Sequence, residues 1–210
     1  MRKWLPVLLT VTAFALSLAF YSRLPDPMVI HWGADGEPNG WAGRPFGAFL
    51  PPVLMAAFTI LFRVLPGADP RKDHYEKFWS SYDLIAISVV VLCFAAQAVV
   101  LAKALGLPIP LARATALLIG LFYLAIGNVF PRLRSNWWIG IRTPWSLSSE
   151  ENWARTHRLG GYLIVAAGIL LLADAAAPGH WMNRIALGSA IVAPVVAMGF
   201  SYAVSLNAEA

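Results

Sequence analysis

Apolar residues run along this chain in long blocks, not in the alternation of a half-buried strand or the narrow stripe of a soluble amphipathic helix. Six blocks stand out, at roughly 4–21, 47–66, 84–104, 112–130, 159–177 and 185–205. Each is close to the ~20 residues that a helix rising ~1.5 Å per residue needs to cross a ~30 Å hydrocarbon core. Lipid offers the backbone no hydrogen bonds, so a block of this length predicts a spanning helix. The chain is therefore expected to be all-α, a polytopic membrane protein of about six transmembrane helices. Arg2 and Lys3 precede the first block as they would in a signal peptide. The block is long for that and no small-x-small cleavage site follows, so an uncleaved first helix is expected.

The polar positions inside the blocks are few. Gln97 and Asn128 read as inter-helix hydrogen-bond partners, and Asp174 falls toward the end of the fifth block. Pro51, Pro52 and Pro194 predict kinks that neighbouring helices accommodate. Ala193, Ala197 and Ser201, four apart, predict a small-residue packing stripe on the last helix. The connections near 105–111 and 178–184 are short, so their flanking helices should be antiparallel neighbours. Three connections are long enough to carry function: 22–46, 67–83 and 131–158. The organisation expected is a two-helix unit over 1–66 with the loop 22–46, followed by a four-helix unit over 67–210 with the loop 131–158.

Composition agrees with the pattern. The chain is 59% hydrophobic and 13% charged, with mean hydropathy +0.63, against about a quarter charged residues in a soluble domain. The net charge of +5 is spread between the apolar blocks, which argues for topology and against direct nucleic-acid binding. With the N-terminus inside, the inner side receives Arg2, Lys3, Arg71, Lys72, Lys77, Arg132, Arg134, Arg142, Arg155 and Arg158. The outer side receives Arg23, Arg44, Lys103, Arg113 and Arg184, and Arg63 snorkels to the inner end of the second span. This bias predicts both termini in the cytoplasm. The single cysteine, Cys93, supports neither a disulfide nor a thiolate metal site.

The outer loop, LPDPMVIHWGADGEPNGWAGR, is rich in Pro and Gly, and its Asn39-Gly40 step reads as a tight turn. His31, Asp35 and Glu37 have no metal-ligand spacing, so no metal is expected. Trp32 and Trp41 suit the lipid interface. His31, Trp32, Glu37, Asn39, Gly40 and Trp41 form the candidate surface facing a ligand outside the cell.

The inner loop holds NWWIGIRTPW at 136–145, with three tryptophans beside Arg142 and Pro144. Tryptophan and arginine suit the headgroup zone of an anionic leaflet. Ser148, followed three residues on by Glu151, reads as a capping box opening a helix. That helix should pass through Trp153 and His157 into the fifth span, with Gly160-Gly161 as a point of loosening. The spans contain no paired carboxylates, no His-x₃-His and no nucleophile with a base, so no enzyme and no cofactor are expected.

The order of residues in this region carries more than composition does. Gly127-Asn128, Pro131, Asn136-Trp137, Gly140-Ile141-Arg142-Thr143-Pro144-Trp145, Leu147-Ser148-Ser149, Trp153 and Thr156-His157-Arg158 closely resemble the signature of the SdpI family of bacterial membrane proteins. Leu24-Pro25, Ile30-His31, Gly36-Glu37-Pro38 and Gly40-Trp41 resemble the domain of unknown function that commonly precedes it. Ser146 stands where threonine is expected in the family's namesake. The resemblance implies a multi-pass protein of the bacterial cytoplasmic membrane and an immunity and signalling role. Its implied partners are the lipid bilayer, an extracellular peptide toxin, and a cytoplasmic winged-helix repressor held at the membrane. The cytoplasmic contact set would then be Asn128, Pro131, Asn136, Trp137, Gly140, Arg142, Thr143, Pro144, Trp145, Ser148, Trp153, His157 and Arg158. A peptide transporter or channel, and a structural part of the envelope, are the alternatives. Transport would need a polar path, for which only Gln97, Asn128 and Asp174 are available.

Overall fold

A computed structural model of the chain describes residues 4–33, 37–177 and 180–208. Arg2, Lys3, Asp35 and Gly36, which entered the charge, metal and family readings, lie outside the described residues. The elements in order are α1 (Leu5–Phe20), β1 (Met28–Trp32), β2 (Pro38–Ala42), α2 (Arg44–Ala68), α3 (Trp79–Ala104), α4 (Leu111–Val129), α5 (Pro144–Ser148), α6 (Glu150–Ala176) and α7 (His180–Ala208). Six helices, all but the short α5, are long and apolar enough to span a membrane. The protein is thus a multi-pass, predominantly helical membrane protein. α6 is the central element, packed on α4 and α7, while α1, α2 and α3 pack on one another and α3 also meets α4.

The α4–α6 contact is made by glycine. A Cβ on Gly120 would come 3.1 Å from the Gly168 carbonyl oxygen, and one on Gly168 would come 3.0 Å from that of Gly120. One helical stretch along, Gly127 and Gly161 show the same reciprocal approach, at 3.0 and 2.8 Å. Two glycines on each antiparallel helix therefore let the backbones touch, which is how helices associate where no hydrophobic effect drives them together. This corrects the reading of Gly160-Gly161 as a loosening point: α6 runs unbroken through both. Gly160 meets Ile141 and Ala197. Ala193, Ala197 and Ser201 are buried, as the small-residue stripe predicted.

Three prolines inside the spans, Pro52, Pro66 and Pro194, follow one rule. A proline removes the N–H that would bond the carbonyl four residues earlier. Pro52 frees Ala48, whose carbonyl accepts from the Ser17 hydroxyl of α1 at 2.6 Å. Pro66 frees Phe62, whose carbonyl accepts from the Tyr82 hydroxyl of α3 at 2.7 Å. Pro194 frees Ala190, whose carbonyl accepts from the Tyr123 hydroxyl of α4 at 3.1 Å. Each hydroxyl comes from a neighbouring helix, so the helix defect becomes a cross-link. Gln97 joins the first of these: its amide donates to Ser17 Oγ at 2.8 Å and to the Ala13 carbonyl at 3.0 Å. That agrees with the inter-helix role expected of it. Asn128 does not share that role. It is exposed on α4 and makes no side-chain hydrogen bond among the described residues.

The loop between α1 and α2 adds an antiparallel hairpin to the helical fold. Its strands close on a 2.9 Å hydrogen bond from the Gly33 N–H to the Glu37 carbonyl, so Asn39-Gly40 is not the turn. Asn39 and Gly40 instead lie within β2, where Gly40 faces His31. A Cβ on Gly40 would come 2.9 Å from His31 Cβ, so close strand approach is what requires glycine there. Met28 anchors the hairpin by packing with Leu24, Ala48 and Leu101.

Candidate functional site

The residues singled out from the sequence collect at opposite ends of α3. The hairpin lies by Leu101, near the end of α3, and the motif loop lies by Phe78 and Tyr82, at its start. In the hairpin, His31 Nδ1 meets Asn39 Oδ1 at 2.5 Å, and Trp41 is exposed. Ile30, His31, Trp32 and Gly33 roof a cavity of about 480 Å³ whose walls come from α3, α4, Leu171 of α6 and Leu187 of α7.

At the other end the motif loop is built around buried polar groups. Asn136 is fully buried and holds its own loop in shape. Its Nδ2 donates to the carbonyls of Arg134 and Ile139, and its Oδ1 accepts from the backbone N–H groups of Trp138 and Ile139. Asn136→Ala leaves four backbone groups without these partners. It should cost about 1–3 kcal/mol, read as a lower melting temperature in detergent. Asn136→Asp should cost nearly as much, because it removes both donors.

His157 holds the next stretch of the loop through Ile141. Its Nε2 accepts from the Ile141 N–H at 2.9 Å, and its Nδ1–H donates to the Trp153 carbonyl at 2.8 Å. A donor on one side and an acceptor on the other fix a neutral ring and one tautomer. The ring stacks on Trp153 with centroids 4.0 Å apart. Trp153 is buried, and its indole N–H donates to the Leu133 carbonyl at 3.0 Å. Gly140 sits against both side chains with φ of +117°.

The helix start differs by one residue from the expected position. Ser149, not Ser148, caps α6, its hydroxyl accepting from the Asn152 N–H at 3.2 Å. The capping box belongs to α5: Thr143 Oγ1 accepts from the Ser146 N–H, and Ser146 Oγ accepts from the Thr143 N–H, both at 3.0 Å. Pro144 follows as the first helical residue, where its missing N–H costs nothing. Ser148 is left exposed, bonded to the Trp145 carbonyl. Thr143 also reaches Ser201 of α7, and Asn152 donates to the Ser201 carbonyl at 2.9 Å, so the motif fastens the last helix.

The loop 67–83 interlocks with the motif loop. Asp69 is buried, and its Oδ2 accepts from the Trp137 N–H at 2.9 Å and from the Tyr75 hydroxyl at 2.8 Å. Burial first, and then that carboxylate, push the Tyr75 phenol above its ordinary value, so it remains a donor. Arg71 donates to Ser135 Oγ and to the Leu147 carbonyl, and His74 Nδ1–H donates to the Ser135 carbonyl at 2.7 Å. Asp69, Arg71, His74 and Tyr75 are not among the candidate site residues read from the sequence, where Arg71 counts only as a charge. Their only sequence signal is an Asp-Pro-Arg step after a helix end, which reads as an ordinary turn.

The motif thus divides in two. Asn136, Thr143, Trp153 and His157 are buried, with Gly140 packed against them. Trp137, Arg142, Pro144, Trp145, Ser148 and Arg158 are exposed, as are Pro131 and Asn128 at the end of α4. Arg142 folds back to donate to the Trp137 carbonyl, and Trp145 leans on Tyr202 at 4.8 Å between ring centroids. Arg134, His74, Lys77 and Glu150 surround a polar recess of about 300 Å³ beside them.

Comparison with known proteins follows the same two ends. Residues 132–205 match the SdpI/YfhL protein family, and residues 8–56 match a domain of unknown function, DUF1648. The immunity protein SdpI of Bacillus subtilis is 24% identical over 93% of this chain and 92% of its own length. The uncharacterized membrane protein YbgB of the same organism is 33% identical over 40% of this chain and 84% of its own length. No solved structure matches. On these grounds the chain belongs to the SdpI/YfhL family, with a DUF1648 segment at its N-terminal end.

Proposed function

We propose that this protein is a non-catalytic immunity and signalling receptor of the bacterial cytoplasmic membrane. It takes an apolar peptide toxin from outside beneath the hairpin and displays the motif face to a winged-helix repressor inside. The observation that carries this reading is the division of the motif. A buried polar scaffold holds Trp137, Arg142 and Trp145 rigid at the surface, and exposed aromatic and arginine side chains on a rigid base are what protein recognition uses. The relative named for immunity covers 93% of the chain, which supports the outward half of the reading. Arg71, Lys72, Lys77, Arg132, Arg134, Arg142, Arg155 and Arg158 on the loops at the motif end favour that end as cytoplasmic. The cavity beneath the hairpin is walled by apolar residues of α3 and α4, among them Leu92, Val99 and Leu111, which suits an apolar segment of a toxin. α4 and α6 connect the two ends, since the motif loop is the link between them. For a signal to pass, the toxin must bind one packing of these helices better than another.

Survival tests the reading. The chain, expressed in a toxin-sensitive bacterium and confirmed in its membrane, should protect against the killing peptide of the SDP type. The Arg142→Ala/Trp145→Ala variant should still protect but should fail to bring a fluorescent winged-helix repressor to the membrane. Loss of two contact side chains of this kind weakens a protein interface by about 2 kcal/mol or more, roughly 30-fold. No protection by the wild-type chain would remove the immunity role, and unchanged recruitment by the variant would remove the motif face from the contact.

A further inference from the structure

Separate from both ends of the proposed receptor, a cavity of about 280 Å³ opens where α1, α2 and α3 meet on the motif side of the bundle. Arg63 of α2 and Asp83 of α3 line it together. Opposite charges at the edge of a membrane would normally pair, because each is costly to leave alone. These two do not. Among the described residues, neither makes an ion pair or a side-chain hydrogen bond. The hydroxyls in the wall are already committed, Thr59 to the Met55 carbonyl and Tyr82 to the Phe62 carbonyl. What the cavity leaves open is one guanidinium, one carboxylate and the half-exposed Trp79. Below Asp83 the wall turns apolar through Ala86, Ile87 and Val90, a depth of ~10 Å along the helix.

We propose that this cavity binds a zwitterionic aminophospholipid of the leaflet on the motif side. The lipid phosphate pairs with Arg63, its primary ammonium donates to Asp83, and the start of one acyl chain lies along Ile87 and Val90. The chemistry selects this occupant in three steps. A free phosphate would leave the apolar wall unused and Asp83 facing a second negative charge. An anionic lipid with a neutral alcohol headgroup gives Asp83 no cation. A choline lipid carries the cation but no N–H for the carboxylate to accept, and one tryptophan is not an aromatic cage. The bound lipid would bear on the motif loop, because Trp79 stacks on Tyr82 and Tyr82 packs against Tyr75 in the core beneath that loop.

Native mass spectrometry of the full chain released from nanodiscs of equal parts phosphatidylethanolamine, phosphatidylcholine and phosphatidylglycerol tests this. The wild type should retain one phosphatidylethanolamine about tenfold more than either other lipid, a difference of ~1.4 kcal/mol. Asp83→Asn should reduce phosphatidylethanolamine to the level of phosphatidylcholine. Arg63→Gln should lower retention of both. Equal retention of all three lipids by the wild type, or unchanged preference in both variants, would overturn the proposal. Should either variant fail to give monodisperse protein, lyso-phosphatidylethanolamine titrated onto the wild type decides the matter. It should saturate at one molecule where lyso-phosphatidylcholine does not, and equal titration curves would overturn the site.

Discussion

Trp153→Ala is expected to destabilise the protein by about 3–5 kcal/mol, the usual cost of emptying a buried aromatic site. Trp153 is among the largest fully buried side chains, and it sits against His157, Gly140 and Leu133. Its ring stacks on His157 and lies beneath Gly140, its N–H donates to the Leu133 carbonyl, and its own carbonyl accepts from His157 Nδ1–H. Removing the ring leaves a cavity between Tyr75, Phe78, Val129, Leu133 and Ile139, residues from the loop 67–83, the motif loop and α4. Trp153→Phe separates the two contributions. It refills most of the volume and loses the hydrogen bond to Leu133, so it should cost about 1–3 kcal/mol. Thermal unfolding of both variants in detergent, followed by near-UV circular dichroism, checks the order. An alanine variant no less stable than the phenylalanine one would mean that the loop does not rest on this ring.

Trp153 reads from the sequence as a helix position before the fifth span and as part of the cytoplasmic contact set, and its burial in the core shows where sequence reasoning stops. The six spans are legible because each is a continuous apolar block, and lipid enforces helix on any such block. Their starts are less so. α3 begins at Trp79 and α6 at Glu150, well before the apolar blocks at 84 and 159, because polar and aromatic first turns lower hydropathy without interrupting a helix. The motif residues are legible as a group, yet which of them are buried is not. Composition gives Trp137, Trp138 and Trp145 a preference for the headgroup zone and says nothing of Trp153, which packs in the core with Tyr75 and Phe78 of the loop 67–83. Asp69 shows locally only a turn, its Oδ1 accepting from the Arg71 N–H at 2.7 Å, while its Oδ2 reaches the distant backbone of Trp137 and the hydroxyl of Tyr75. The Asn39-Gly40 step misleads for the opposite reason. Local turn statistics favour it, while cross-strand packing against His31 gives the glycine a different use.

Gly140→Ala is the smallest change with an expected effect of similar size, about 4 kcal/mol. Its φ of +117° lies in a region that residues with a Cβ avoid, which contributes roughly 1–3 kcal/mol of strain. The methyl would also come 2.3 Å from His157 Nε2 and 3.2 Å from the Trp153 ring. No contact of that length survives, and the ring's retreat is hindered by Trp153 stacked on it and by Phe130, whose ring centroid lies 5.5 Å away. The hydrogen bond from the Ile141 N–H to Nε2 is then lost, leaving a buried donor unpaired at roughly 1–3 kcal/mol. A double-mutant cycle resolves the parts. In a His157→Ala background the clash and the hydrogen bond are already gone, so Gly140→Ala should cost only the backbone strain. Its effect on stability should fall there to about half. An equal cost in both backgrounds would show that φ alone demands the glycine. A negligible cost in both would show that this stretch of the motif adopts another conformation, and that the rigid display of Trp137, Arg142 and Trp145 has a different support.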